Sequence, residues 1–137
     1  MAFEFPGLTI SLPTTQNLSA QQYRPVFINA NGNAVLAVTA KQAILGILQN
    51  TPSTAGGQCS IMVNGVSKVY REAVATGVGE GAALAVLTTQ GGIGVTTAKG
   101  FVLGRAITPA TTFACYFSAL ICPEGVGSTV QGITQAP

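Results

Sequence analysis

The chain contains no histidine, no aspartate and no tryptophan, and its only acids are Glu4, Glu72, Glu80 and Glu124. Those glutamates lie far apart in sequence. Without imidazole or paired carboxylates, the usual materials for acid–base catalysis, Ser-His-Asp triads and hard-metal sites are missing. The sequence therefore predicts no catalytic residue, no metal and no cofactor. Charge of either sign is scarce, at 7% of 137 residues, against about a quarter in an ordinary soluble domain. No apolar run is long enough to span a bilayer, so a membrane partner is not expected. A chain with mean hydropathy of +0.47 and so little charge must cover much of its surface, and the expected cover is a permanent assembly, with a homo-oligomer as its simplest form.

The six cations, Arg24, Lys41, Lys68, Arg71, Lys99 and Arg105, are scattered with no two adjacent. They form no electrostatic footprint for nucleic acid. The opening Met1-Ala-Phe-Glu-Phe-Pro6 has neither the basic stretch nor the apolar core of a secretory leader, so synthesis and first folding in a cytoplasm are expected. Cys59, Cys115 and Cys122 match no zinc spacing and are read as three buried thiols. On one strand, Cys115 and Cys122 would point to opposite faces.

What the chain does have is strand grammar: short apolar bursts punctuated by Gly, Pro, Asn and Thr. Leu8-Thr-Ile10-Ser-Leu12 alternates, segments 26–28 and 35–38 flank the turn Asn29-Ala-Asn-Gly32-Asn33, and segment 60–63 runs into Asn64-Gly65, a hairpin signal. Only residues 67–75 show helix-like spacing, through Val66, Val69, Tyr70 and Ala73, and their β-branched content and flanking glycines fit an extended or irregular linker equally well. Ser67 and Lys68 would be a nucleophile pair only if they shared a face, which adjacent strand residues do not. The glycines at 77, 79, 81, 91, 92 and 94 open no helix and read as turn residues rather than a phosphate cradle.

The chain also contains a pattern twice. Residues 25–39, Ala43-Ile-Leu-Gly46-Ile-Leu48, Thr51-Pro52 and Cys59-Ser-Ile-Met-Val63 are echoed by residues 83–97, Phe101-Val-Leu-Gly104-Arg-Ala106, Thr108-Pro109 and Cys115-Tyr-Phe-Ser118. Chance similarity between Ala/Val/Gly/Thr-rich strands is the competing explanation. Read as a duplication, each half is too small to bury its own apolar face, so the two must pack together. The resulting expectation is an all-β fold, a small barrel or sandwich built from two similar β-units. An extended N-terminal arm (1–22) precedes the duplicated domain (23–122, halves about 23–66 and 79–122), and a C-terminal tail (123–137) follows it.

Two regions read as contact surfaces. In the arm, Phe3, Phe5, Leu8, Ile10 and Leu12 carry large apolar groups around Pro6-Gly7 and either pack on their own core or add a strand to a neighbour. The second is Lys68-Val-Tyr70-Arg71-Glu72, the densest charged cluster in the chain, set between the repeats as a solvated connection or an interface anchor. Tyr23 and Arg24, at the entry to the first half, belong to the same class, since Tyr and Arg are favoured at interfaces.

The segment Gly46-Ile-Leu-Gln-Asn50, with Val63-Asn-Gly-Val-Ser-Lys-Val69, residues 79–84 and Gly100-Phe-Val-Leu-Gly104, resembles the capsid decoration (cement, or head-stabilising) proteins of tailed bacteriophages. The resemblance covers roughly residues 20–122; the two ends depart from it. It implies a structural virion protein on the outer capsid surface, made in the host cytoplasm, that bridges major capsid subunits, often as a trimer. The alternatives from other classes are a β-domain fibre or adhesin module and a tail or shell subunit. An adhesin for carbohydrate is disfavoured by the lack of Trp and Asp and by having only three Tyr.

Overall fold

Among the described residues the regular structure is ten strands: β1 (Thr9–Pro13), β2 (Pro25–Ile28), β3 (Ala34–Leu36), β4 (Ile44–Leu48), β5 (Gln58–Met62), β6 (Gly65–Arg71), β7 (Ala83–Val86), β8 (Ile93–Val95), β9 (Val102–Ala106) and β10 (Cys115–Glu124). The structure is a computed structural model that describes residues 2, 4, 5, 7–39, 42–71, 77–87, 91–95, 101–111 and 115–124. Among these there is no helix. The helix-like spacing after Val66 belongs instead to β6, because alternation from Ser67 to Arg71 buries Ser67, Val69 and Arg71 on one face.

The first five strands form a sheet of order β1-β5-β4-β2-β3, and the last five close into a barrel of order β6-β10-β9-β7-β8. Every pairing is antiparallel except β6 with β8, the seam that closes the barrel at Arg71 and Ile93. The two orders are the same order, strand for strand, so the repeat in the sequence is a repeat in the fold. Register repeats as well. Ile47 faces Met62 and Leu48 faces Ile61 in the first unit, as Arg105 faces Leu120 and Ala106 faces Ala119 in the second. Loop bonds recur too: Gln49 N–H donates to Ser60 C=O and Ile107 N–H to Ser118 C=O, while Leu48 N–H donates to Arg24 C=O and Ala106 N–H to Ala82 C=O. In both units a glycine sits mid-strand on the fourth strand, Gly46 and Gly104, where a Cβ would run into the backbone carbonyl of Met62 or Leu120.

The matched interiors trade volume. Val26, Ala34, Leu48, Cys59 and Ile61 fill the first unit where Leu84, Ile93, Ala106, Phe117 and Ala119 fill the second, all of them buried. Three positions grow and two shrink, which keeps both interiors near close packing. One polar position recurs: Thr14, the residue after β1, and Arg71, the last residue of β6, are equivalent and both are buried. Ile44 and Ile47 of the first unit pack in the same apolar cluster as Leu103, Phe117 and Ile121 of the second. The two units therefore share a core.

Four expectations need correction. Residues 9–13 are not a free arm but the edge strand of the first unit, paired within the chain from Thr9 with Met62 to Pro13 with Gln58. Asn64-Gly65 is not a hairpin: β5 and β6 belong to different sheets, and Gly65, at φ +125°, packs against the backbone of Phe5 and Gly7 as the chain crosses over. The second unit therefore opens at Gly65, with Lys68–Arg71 inside it rather than in a linker. Finally, the structural partner of Cys59 is Phe117, not Cys115: a slip of two residues keeps every side chain on its face, so sequence pattern could not exclude it. The tail beyond Glu124 lies outside the described residues.

Candidate functional site

On the outer face of the barrel, β10 lies beside β6 with Tyr116 opposite Tyr70, Ser118 opposite Lys68 and Leu120 opposite Val66. Cross-strand partners share a face, so this face carries two tyrosines, a lysine and a leucine in three adjacent rows. Phe5 extends the last row through reciprocal backbone hydrogen bonds with Val66. Arg105, opposite Leu120 on β9, closes the other side and donates from Nη1 to Gly81 C=O at 3.2 Å.

The turn into β2 brings in Tyr23 and Arg24. The Tyr23 and Tyr116 rings meet edge-on with centroids 5.6 Å apart, and Tyr70 meets Tyr116 at 5.5 Å. The Arg24 guanidinium lies 4.3 Å from the centre of the Tyr70 ring, and the Lys68 ammonium 5.7 Å from that of Tyr23. All three tyrosines of the chain thus converge with two cations. Burial, and after it the neighbouring Glu4 carboxylate, which also accepts the phenol's hydrogen bond, pushes the Tyr23 hydroxyl above its ordinary pKa of 10.0. The Glu4 Oε1 atom is buried there without a hydrogen-bond partner among the described residues.

The duplication supplies an internal control for which of these side chains the fold requires. In the first unit the positions of Tyr116, Tyr70 and Lys68 are held by Gln58, Pro13 and Ser11 in the same register, where Ser11 Oγ and Gln58 Oε1 are 3.2 Å apart. The architecture thus forms without aromatics or cations on that face. Tyr23 is more telling. Its N–H donates to Leu48 C=O as that of Gly81 donates to Ala106 C=O, and both residues are left-handed, Tyr23 at φ +65° and Gly81 at φ +75°. Tyrosine stands where the sister unit uses glycine, at a backbone cost of about 1–2 kcal/mol. A strained tyrosine and an unsatisfied carboxylate oxygen at one place are the local rule-breaking that marks functional sites.

Of the residues the sequence singled out, Tyr23, Arg24, Lys68 and Tyr70 come together here, and Phe5 lies at the end of the face, 65% exposed. Leu8 is also exposed, beside Val63 in the crossover. Ile10 and Leu12 pack against the first unit's own core and Arg71 faces the barrel interior, so these three are not surface anchors. Phe3 and Glu72 lie outside the described residues. Sequence reasoning missed Tyr116 and Leu120, 52% and 44% exposed on β10; their even spacing of four residues, out of phase with the apolar Phe117, Ala119 and Ile121, was the available signal. The cysteines are not uniformly buried either: Cys59 is, Cys115 is half-buried and Cys122 is exposed, the last two on opposite faces of β10. Among the described residues no three His, Cys, Asp or Glu side chains cluster as a metal site would need, and no helix is long and apolar enough to cross a membrane. Neither a scan against protein-family models nor a search of curated proteins finds a match to this chain.

Proposed function

We propose that the chain is a structural binding protein that works by surface contact, and that its target is the outer surface of a phage head, where it bridges major capsid subunits. The observation that carries the binding role is the tyrosine and cation cluster on the β6/β10 face, built around a left-handed Tyr23 where the same fold elsewhere uses Gly81. Backbone strain retained for the sake of a side chain argues that the side chain has work beyond folding. Tyr and Arg are the residue types that anchor interfaces. The choice of capsid as target rests on the resemblance of residues 20–122 to decoration proteins. Low surface charge fits a chain that spends its life covered, and the mechanism is mass action: a protein that binds only the assembled lattice stabilises that state by its binding free energy. A homo-oligomer, trimeric by the resemblance, belongs to the same proposal.

The test is to mix the purified chain with emptied, expanded heads that lack a decoration protein, then to measure co-sedimentation and the temperature at which the heads rupture. Saturable retention with a higher rupture temperature is the expected result. Heads that neither retain the chain nor gain heat resistance would remove the capsid from the reading.

A further inference from the structure

The β6/β10 face is mixed in a particular way. Its apolar groups, Tyr116, Leu120 and Phe5, are exposed, and cations stand around them: Arg24 and Lys68 over the tyrosine rings and Arg105 opposite Leu120, while the Glu4 carboxylate is turned in against Tyr23. Among the described residues neither Lys68 nor Arg105 makes an ion pair: Lys68 lies over the Tyr23 ring and Arg105 bonds the Gly81 carbonyl. Lys68 and Arg105 therefore give the face a positive rim that no acid among the described residues pairs with. A ring contact already holds Lys68 in place, which lowers the ordering cost of a contact made through it. The matching face of the first unit, with Ser11, Gln58 and Ser60, has neither rim nor apolar centre.

From this complementarity we infer that the β6/β10 face docks an acidic protein surface, its carboxylates meeting Lys68 and Arg105 and an apolar group settling against Tyr116 and Leu120. The inference rests on the binding role proposed above and adds which face binds and the chemistry of its partner. Charge at the rim speeds and orients encounter, while the buried aromatic contact sets the lifetime.

The experiment uses the full chain and two sets of substitutions. Lys68→Ser with Tyr116→Gln copies the side chains that the first unit carries at the same positions, so the fold is expected to survive, as melting of the variant will show. Ser11→Ala with Gln58→Ala alters the matching face as a control. Emptied phage heads are one probe and poly-L-glutamate on beads is the other, each over a series of salt concentrations. The inference expects Lys68→Ser/Tyr116→Gln to lose about tenfold or more in retention, the control to lose nothing, and binding of the unsubstituted chain to weaken with salt. If heads fail to retain even the unsubstituted chain, the capsid reading falls, and the polyglutamate arm decides the face by the same comparison. Equal retention of both variants on every probe that binds would overturn the inference, as would no binding to either probe. Stronger binding to phosphatidylserine vesicles than to polyglutamate would overturn it in favour of a lipid surface. Self-association of the chain alone, abolished by Lys68→Ser/Tyr116→Gln in sedimentation velocity, would overturn it in favour of a second copy.

Discussion

Tyr23 sets one cost against two gains. Its left-handed backbone costs about 1–2 kcal/mol, while its ring meets Tyr116 and Lys68 and its hydroxyl bonds Glu4. Tyr23→Ala loses the contacts and keeps the strain, whereas Tyr23→Gly loses both. The glycine variant is expected to be the more stable of the two by about 1 kcal/mol, read from denaturant midpoints; an alanine variant of equal or greater stability would show that the backbone is unstrained. The phenol also carries a pH signature. Its folded pKa is raised above 10.0, chiefly by burial and then by Glu4, so the stability it contributes is fully present below pH 10 and is lost as pH rises through the folded value. Melting temperature should fall above pH 10, and less steeply in Tyr23→Phe. For the cysteines, Cys59 is buried and its thiol pushed up by desolvation, which outweighs a hydrogen bond from Thr14, whereas Cys122 is exposed. A thiol reagent at pH 8 should therefore label Cys122 in the folded chain and reach Cys59 only on unfolding.

Among the strands, the fourth and the ninth are the most tightly constrained. Gly46 and Gly104 each bring a backbone against the carbonyl of the neighbouring strand, which cannot move aside as a side chain could. Gly46→Ala and Gly104→Ala should each cost on the order of 2–4 kcal/mol, measured by chemical denaturation; values under 0.5 kcal/mol would contradict the close approach. Removing residues 1–12 takes out most of β1, exposing β5 and the apolar groups that Ile10 and Leu12 cover, so the truncated chain should melt markedly lower. The strands and their repetition were legible in the sequence because alternation, mid-strand Gly and the Thr-Pro turns are local signals. What joined to what was not. The alternating segment at residues 8–12 reads equally as an arm or an edge strand, since its partner β5 lies some fifty residues away. Asn64-Gly65 has hairpin chemistry but its strands pair elsewhere, and the site was half legible for the same reason: Lys68 and Tyr70 stand out as neighbours in sequence, while Tyr116 joins them only through the β6/β10 register.

At the scale of the whole molecule, one β-unit appears twice and the copies have diverged in opposite places: inside by exchanging volumes, outside by exchanging chemistry. The first unit has a cluster of its own around Val26, Leu48 and Ile61, but its Ile44 and Ile47 pack with Leu103 and Phe117 of the second, so the second unit's core is completed by the first. Unfolding should therefore be a single cooperative transition; two separated transitions would mean independent domains. Divergence outside gives one unit a polar face of Ser11, Gln58 and Ser60 and the other a face of Tyr70, Lys68, Tyr116 and Leu120. In the function proposed above, the protein meets its target through this second face. Hydrogen exchange of the chain, free and bound to emptied heads, reads that contact strand by strand. Protection concentrated in β6, β10 and the Tyr23–Arg24 turn, with β1 and β5 unchanged, is the predicted result; protection concentrated on β1 and β5, with β6 and β10 unchanged, would contradict it.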